Sequence, residues 1–595
     1  IRFAIKSTLA HAIQVRTKLL RKKAFARGSE IGLIFCAALI GVAAGVVVSA
    51  MSWLSKALHS LIFGIPHNSW LSSSIIEEKL LLLCSPVLGG CLMGCLYLAL
   101  RNRRSRPIVD PIEANALYGG RISLTDSIIV AVQNLVSNGF GASVGLEAGY
   151  TQLSSGLASK LGAKLNLRRE DLRLLVGCGA AGAIAAAFNA PLTGAFYAFE
   201  LIIGTYSNIA LAPVVVAAIL ATLVARTLSG DAFLIEIGDI GLIAPWHFLP
   251  AILLGAFCAM SGIVIVKGVA FTEKFARESS IYPALRPALG GIVVGLLALV
   301  TPQVLSAGHG ALHLNLEVQS SIGILAIILV LKAVASAVSI GSGFRGGLFF
   351  ASLFMGALIG KIFAFPVDFL LDDALAPTVL AVVGMSALAV ALIGGPLTMT
   401  FLALEITGDF PITALVLAAA ITSSVVVRTT FGYSFATWRF HLRGESIRSA
   451  HDIGWIRNLT VDKLMRSDVK KANVNLSLEE FRHQFPLGST QRAILVDDVR
   501  YLGIIFVPEV YAEESDNTQD GGIGRFIRLR NDTLQPQMNA RQAAAIFDKT
   551  RSEALAVVNN LIERRVVGQL SEAHTLRRYS EELDRRRREA VGETL

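Results

Sequence analysis

Between about residue 30 and residue 430 one apolar segment follows another, and several are cut by glycine or proline. The cut stretches read SNGFGASVG at 137–145, AAFNAPLTG at 186–194, GSGFRGGLFF at 341–350 and ALIGGPLTM at 391–399. Many of the apolar segments are also shorter than the roughly 20 residues a helix needs to span a bilayer. Backbone that breaks at membrane depth survives only where protein buries it or where it lines a watery cavity. The chain therefore predicts a polytopic, all-α membrane protein with broken helices, of the transporter or channel kind. Composition agrees, with 53% hydrophobic and only 16% charged residues, against about 25% charged in soluble domains.

Charge is unevenly spread. The net +10 is concentrated in a basic arm, residues 1–29, and in the loop RNRRSR at 101–106. Two apolar runs, about 31–51 and 79–100, separate them. An even number of crossings puts both on one side, and the positive-inside rule makes that side cytoplasmic. The arm reads as a helix on the lipid surface. Its cations lack interleaved base-stacking aromatics, so no nucleic-acid partner is expected. No cleavable signal peptide is apparent, and the chain opens on Ile1 rather than Met, so upstream residues are expected. The six cysteines lie in apolar runs without CxxC spacing or clustered histidines. They read as small hydrophobes, with no disulfide framework or metal site.

The membrane part repeats. FNAPLTGAFYAFE carries Pro191 and Glu200, and IGGPLTMTFLALE carries Pro396 and Glu405. Each proline precedes its glutamate by nine residues; Gly139 to Pro191 is 52 residues and Gly343 to Pro396 is 53. Repeats with interrupted helices in corresponding places point to a binding site at the membrane midplane. The expected halves are about 30–230 and 245–445 of a transmembrane domain over 30–445.

Near residue 445 the composition turns charged and a third domain, 446–595, begins. Two units of similar plan occupy about 459–512 and 532–582, each a helix, an apolar strand pair and a closing helix. The acidic YAEESDNTQDGGIG between them reads as a linker. SEELDRRRREAVGETL ends the chain as a charged helix or tail.

GASVGLEAGYTQL at 141–153 sets one carboxylate, Glu147, among Gly141, Gly145 and Gly149. Together with GFRGGLFFASL it resembles a glycine-rich turn feeding a helix. The free N–H groups and partial positive charge of such a terminus suit a desolvated anion. Close packing through small residues is the competing reading of the glycines alone.

Taken with the doubled PLT…E, these stretches resemble the CLC family of chloride channels and chloride/proton antiporters, over about residues 30–445. The tail resembles a pair of CBS domains. AAAFNAPLTG is nearly the family's own. Gly145-Leu146-Glu147-Ala148-Gly149 stands where the family has GREGP, and Gly346-Gly347-Leu348-Phe349-Phe350-Ala351 where it has GGxFxP. The resemblance implies an inverted-repeat CLC fold plus an α/β cytoplasmic CBS pair. It implies a homodimer with one pore per subunit, apolar helices near 191–225 and 396–428 forming the interface. It makes Glu147 the gate, competing with chloride until protonated. The anion ligands would be the N–H groups around Gly145, Leu146 and Glu147 and around Gly347, Leu348 and Phe349.

Three departures matter. Pro107-Ile108-Val109-Asp110-Pro111 stands where the family has GSGIP, so Ile108 replaces a serine whose hydroxyl faces the anion. The family's inner-mouth tyrosine falls at Phe435 or Ala436, with Tyr433 two positions away. The second, proton-passing glutamate of the antiporters aligns with Leu201; Glu200, one residue earlier, points about 100° away on a helix. This leans toward a channel, with an antiporter using a water route for protons as the alternative, and a structural role expected for Glu200 and Glu405. In the tail, VVGQLSEAH has His574 where a ribose-binding aspartate would stand, which weighs against an adenine nucleotide; His451, His483 and His574 read as surface residues. No HExxH occurs, so an intramembrane enzyme of that kind is not expected. A CBS-based sensor without ion flux is the remoter alternative. No cofactor is expected beyond the transported anion.

Overall fold

A computed structural model describes residues 30–67, 69–101, 108–230, 243–370, 375–432, 434, 438, 459–512 and 522–591. The chain divides into two compact units, Ile1–Asp452 and Ile453–Leu595.

Among the described residues the first unit holds two sets of eight helices in matching order. The first set comprises α1 (Glu30–Phe63), α2 (Lys79–Arg101), α3 (Pro111–Leu117), α4 (Leu124–Gly139), α5 (Glu147–Leu165), α6 (Arg169–Phe188), α7 (Pro191–Tyr197) and α8 (Asn208–Ser229). The second comprises α9 (Phe248–Glu278), α10 (Arg286–Val300), α11 (His309–Glu317), α12 (Ile322–Ser342), α13 (Phe349–Leu370), α14 (Pro377–Ile393), α15 (Pro396–Thr407) and α16 (Phe410–Thr430). Among the described residues, eight helices are long and apolar enough to cross a membrane, while α7, α10, α14 and α15 are shorter apolar pieces. The short and glycine-fed helices sit inside. Residues Val379–Leu392 of α14 are buried without a break, as are Phe349–Lys361 of α13. That burial lets their broken backbone exist at membrane depth.

Equivalent helices of the two sets meet around a pseudo-two-fold axis. Helix α2 packs on α10 through reciprocal glycine contacts. A Cβ on Gly90 would overlap the Pro287 carbonyl, and a Cβ on Gly291 would overlap the Pro86 carbonyl. Helix α7 packs on α15, with Phe196 and Phe401 stacked at 4.2 Å. Each of these rings lies five residues after its proline. Proline opens both α7 and α15, where its missing N–H costs nothing.

The halves differ in one element. A regular helix is expected through Glu200 and Leu201, but α7 runs into a π-helical turn, Ala198–Ile203, before the left-handed Gly204. The equivalent α15 stays α-helical past Glu405. A π turn adds a residue per turn, so positions after Tyr197 rotate away from where an α-helix places them.

The second unit has the α/β plan expected of a CBS pair, with one strand more than the sequence reading gives. A short turn α17 (Val461–Leu464) leads to β1 (Lys471–Asn473), α18 (Leu478–Gln484), β2 (Arg492–Asp497), β3 (Arg500–Phe506) and α19 (Val507–Ala512). Then come α20 (Ala540–Thr550), β4 (Ala554–Val558), β5 (Val566–Ser571) and α21 (Glu572–Val591). β1 pairs parallel with β2, while β2–β3 and β4–β5 are antiparallel hairpins. Ile494, Val496, Tyr501 and Ile504 of the first hairpin pack against Ala556, Val558 and Val566 of the second. Ser477 and Asn539 cap α18 and α20 in reciprocal capping boxes.

Candidate functional site

The two glycine strips predicted as helix-feeding turns lie side by side. Gly145 and Gly347 form an isolated antiparallel bridge: the Gly145 N–H donates to the Gly347 carbonyl at 3.0 Å, and the Gly347 N–H to the Gly145 carbonyl at 3.3 Å. Helices α5 and α13 start immediately after, so two helix N-termini converge on one place. Buried asparagines hold the strips. Asn134 donates to the carbonyls of Gly145 (2.9 Å) and Arg345 (3.1 Å) and accepts the Gly149 N–H at 2.8 Å. A proline at 149, as in the family pattern, could not make that last bond. Asn138 donates to the Val144 carbonyl at 2.7 Å and to Ser306 Oγ at 3.0 Å.

Glu147 is the first residue of α5 and is buried. Its carboxylate folds back over the strip, so that a Cβ on Gly145 would overlap it. The carboxylate takes a backbone hydrogen bond from Phe350, in the first turn of α13. Oε2 has no partner. Lys332 of α12 is fully buried and lies within electrostatic reach; its ammonium donates to the carbonyls of Val304 (3.1 Å) and Ser306 (2.8 Å). On the other side of Phe350 stands a stack of rings, His309 at 3.6 Å from Phe350 and Trp70 at 4.7 Å from His309, with Lys56 Nζ 4.3 Å over Trp70.

A cavity of about 580 Å³ reaches this place. Its wall includes Glu147, Ile108, Gly347, Leu348, Phe349 and Tyr197, and it extends to Asp110, Arg277 and Arg286. The N–H groups of Leu348 and Phe349 find no acceptor among the described residues, as expected at a helix start. The structure thus brings together Gly145, Glu147, Gly347, Leu348, Phe349 and Ile108; Leu146 is buried in a neighbouring apolar cluster. Phe435 and Tyr433 lie outside the described residues. Leu201 is not part of the cavity wall; its side chain lies against Gly394.

Glu200 is fully engaged elsewhere. It accepts the N–H groups of Leu397 (3.0 Å) and Thr398 (2.8 Å) and the Thr398 hydroxyl (2.6 Å), capping α15. Glu405 does the same for α7, accepting from the N–H groups of Leu192 and Thr193 (both 2.8 Å) and the Thr193 hydroxyl (2.7 Å). Each repeat neutralises the helix start of the other.

The profile of the voltage gated chloride channel family matches residues 89–428. The chain belongs to that family. It is 32% identical over 351 residues to a putative chloride channel protein ClcB-like of Ralstonia nicotianae, which covers 58% of this chain and 82% of that protein. It is 27% identical over 400 residues to the voltage-gated ClC-type chloride channel ClcB of Escherichia coli O81, covering 67% and 96%. Among solved structures, a slow cyanobacterial Cl⁻/H⁺ antiporter superposes with a TM-score of 0.60 at 21% identity, over 69% of this chain and 97% of that one. A eukaryotic CLC transporter superposes with a TM-score of 0.59 at 16% identity, over 91% and 97%. These two likenesses establish the CLC fold.

Residues missed by sequence reasoning are Asn134, Asn138, Lys332, His309 and Tyr197. The asparagines stand four apart on the helix feeding the strip, a spacing that puts both on one face. Lys332 is the one charge in the apolar ILAIILVLKAVASAVSI, a signal legible by the same rule that singles out Glu147.

Proposed function

We propose that the protein carries chloride, or another small anion, across a cytoplasmic-type membrane, with Glu147 as the gate. The observation that supports this is the Glu147 carboxylate lying at two converging helix N-termini, on a cavity lined by the free N–H groups of Leu348 and Phe349. A carboxylate there occupies the place an anion would take; protonation removes its charge and its reason to stay. The basic loop and arm set the termini and the Arg277–Arg286 end of the cavity on the cytoplasmic side. Transport is channel-like, because position 201 holds a leucine that cannot pass protons and Glu200 is committed to capping α15. The protein works as a homodimer in the bilayer, and His574 in place of a ribose-binding aspartate weighs against an adenine nucleotide in the CBS pair.

One observation favours a second reading, proton-coupled exchange. The cavity runs from Glu147 past Tyr197 to Asp110 and is wide enough for water, so protons could travel without a glutamate at 201. Flux from purified protein in liposomes separates the two, with chloride followed by electrode and external pH recorded, with and without an uncoupler. Chloride efflux with no pH change supports the channel. Protons moving in fixed proportion to chloride overturn it in favour of the exchanger.

A further inference from the structure

Transport of an anion past Leu348 and Phe349 needs donors on more than one side. The loss of a serine at position 108 removes one: Ile108 offers only hydrocarbon to the cavity. The structure holds a hydroxyl nearby. Tyr197 ends α7, where the helix passes into the π turn, and it forms part of the same wall. Its ring stands 6.2 Å from that of Phe349, whose N–H is one of the free donors. The phenol lies within electrostatic reach of both Asp110 and Glu147, which share the cavity wall with it.

Its hydroxyl has no hydrogen-bond partner among the described residues. Tyr150, Tyr501 and Tyr511 each have one. Tyr150 bonds Ser52 at 2.7 Å, Tyr501 donates to the Leu529 carbonyl at 2.7 Å, and Tyr511 donates to the Arg482 carbonyl at 2.7 Å. A phenol O–H on a cavity wall with no protein partner is available to a ligand or a water. A neutral O–H also suits a conduction path, because it holds an anion less tightly than a fixed cation and lets it leave.

We propose that Tyr197 is the hydroxyl ligand of the transported anion, standing in for the serine hydroxyl absent at Ile108 and acting with the N–H groups of Leu348 and Phe349. This rests on the reading of the protein as an anion transporter. Tyr197 is the last α-helical residue before the π turn, and three residues on, Glu200 reaches Thr398.

The test is chloride titration calorimetry and liposome flux on full-length protein carrying Tyr197→Phe, which keeps the ring and removes the oxygen. A hydrogen bond to an ion predicts about tenfold weaker chloride binding or more. Ile108→Ser added to Tyr197→Phe restores most of it. Ile108→Ser alone tightens chloride binding in the parent, an arm that does not depend on the phenylalanine variant folding. Unchanged binding in Tyr197→Phe, or failure of serine at 108 to alter binding in either background, overturns the proposal. Absence of chloride binding and flux in the parent protein is the separate result that would sink the transport reading itself.

Discussion

Helices α5 and α13 occupy equivalent places in the two repeats and begin at paired glycine strips, yet their first residues differ: Glu147 in one, Phe349 in the other. Around them the scaffold is symmetric. Glu200 and Glu405 cap each other's partner helices, Phe196 stacks on Phe401, and Gly90 and Gly291 face each other's proline carbonyls. The comparison teaches that duplicated residues build the frame, while the candidate gate, Glu147, has no carboxylate counterpart at the start of α13.

Breaking the symmetric frame has the largest expected effect. Glu405→Ala leaves two N–H groups and a hydroxyl of α7 without their carboxylate, and Glu200→Ala does the same to α15. Each should cost roughly 2–4 kcal/mol of stability. Thermal unfolding of the purified protein should drop by similar amounts for the two. A Glu200 variant of normal stability but altered proton flux would show that this glutamate serves the chemistry instead.

Next comes the strip. Gly145→Ala collides with the Glu147 carboxylate, while a Cβ on Gly347 meets nothing closer than 3.7 Å. Liposome flux in the first variant should lose most of its pH dependence, because the gate is displaced whatever its protonation. Flux in Gly347→Ala should stay within about twofold of the parent, since a methyl in ordinary contact costs little. Equal effects of the two substitutions would contradict the asymmetry.

The tail gives the smallest effect. The third residue of α19 is Glu509, and the third of α21 is His574. Burial, with Arg577, Arg578 and Arg466 nearby, holds His574 below the ordinary 6.5. The folded state then prefers the neutral ring. The stabilisation is complete above pH 6.5 and is lost as pH falls, since the unfolded chain takes up the proton first. Because the ring is only partly buried and its charge is screened, the shift in the tail's melting between pH 7.5 and pH 5.5 should amount to about a degree or two. His574→Gln should remove it; an unchanged pH dependence would assign it to another group.

Much of this was legible in the residues. The broken segments and the PLT…E spacing carry the fold, and the isolated Glu147 marks the candidate gate, because glycine, proline and buried charge have few alternative uses in a membrane. The second repeat signal, PVLGGCLMG at 86–94 against PALGGIVVG at 287–295, was equally legible and needed only to be aligned. The π turn was not. No local pattern in GAFYAFELIIG announces its extra residue. Tyr197 was hidden for a different reason: an aromatic beside Phe196 in an apolar helix reads as core.

The most direct test of the account is chloride flux from liposomes across pH 4.5 to 8 in the parent and in Glu147→Gln. The account predicts parent flux that rises as pH falls, and variant flux that is high and flat across the range. Variant flux that keeps the parent's pH dependence would contradict the assignment of Glu147 as the gate.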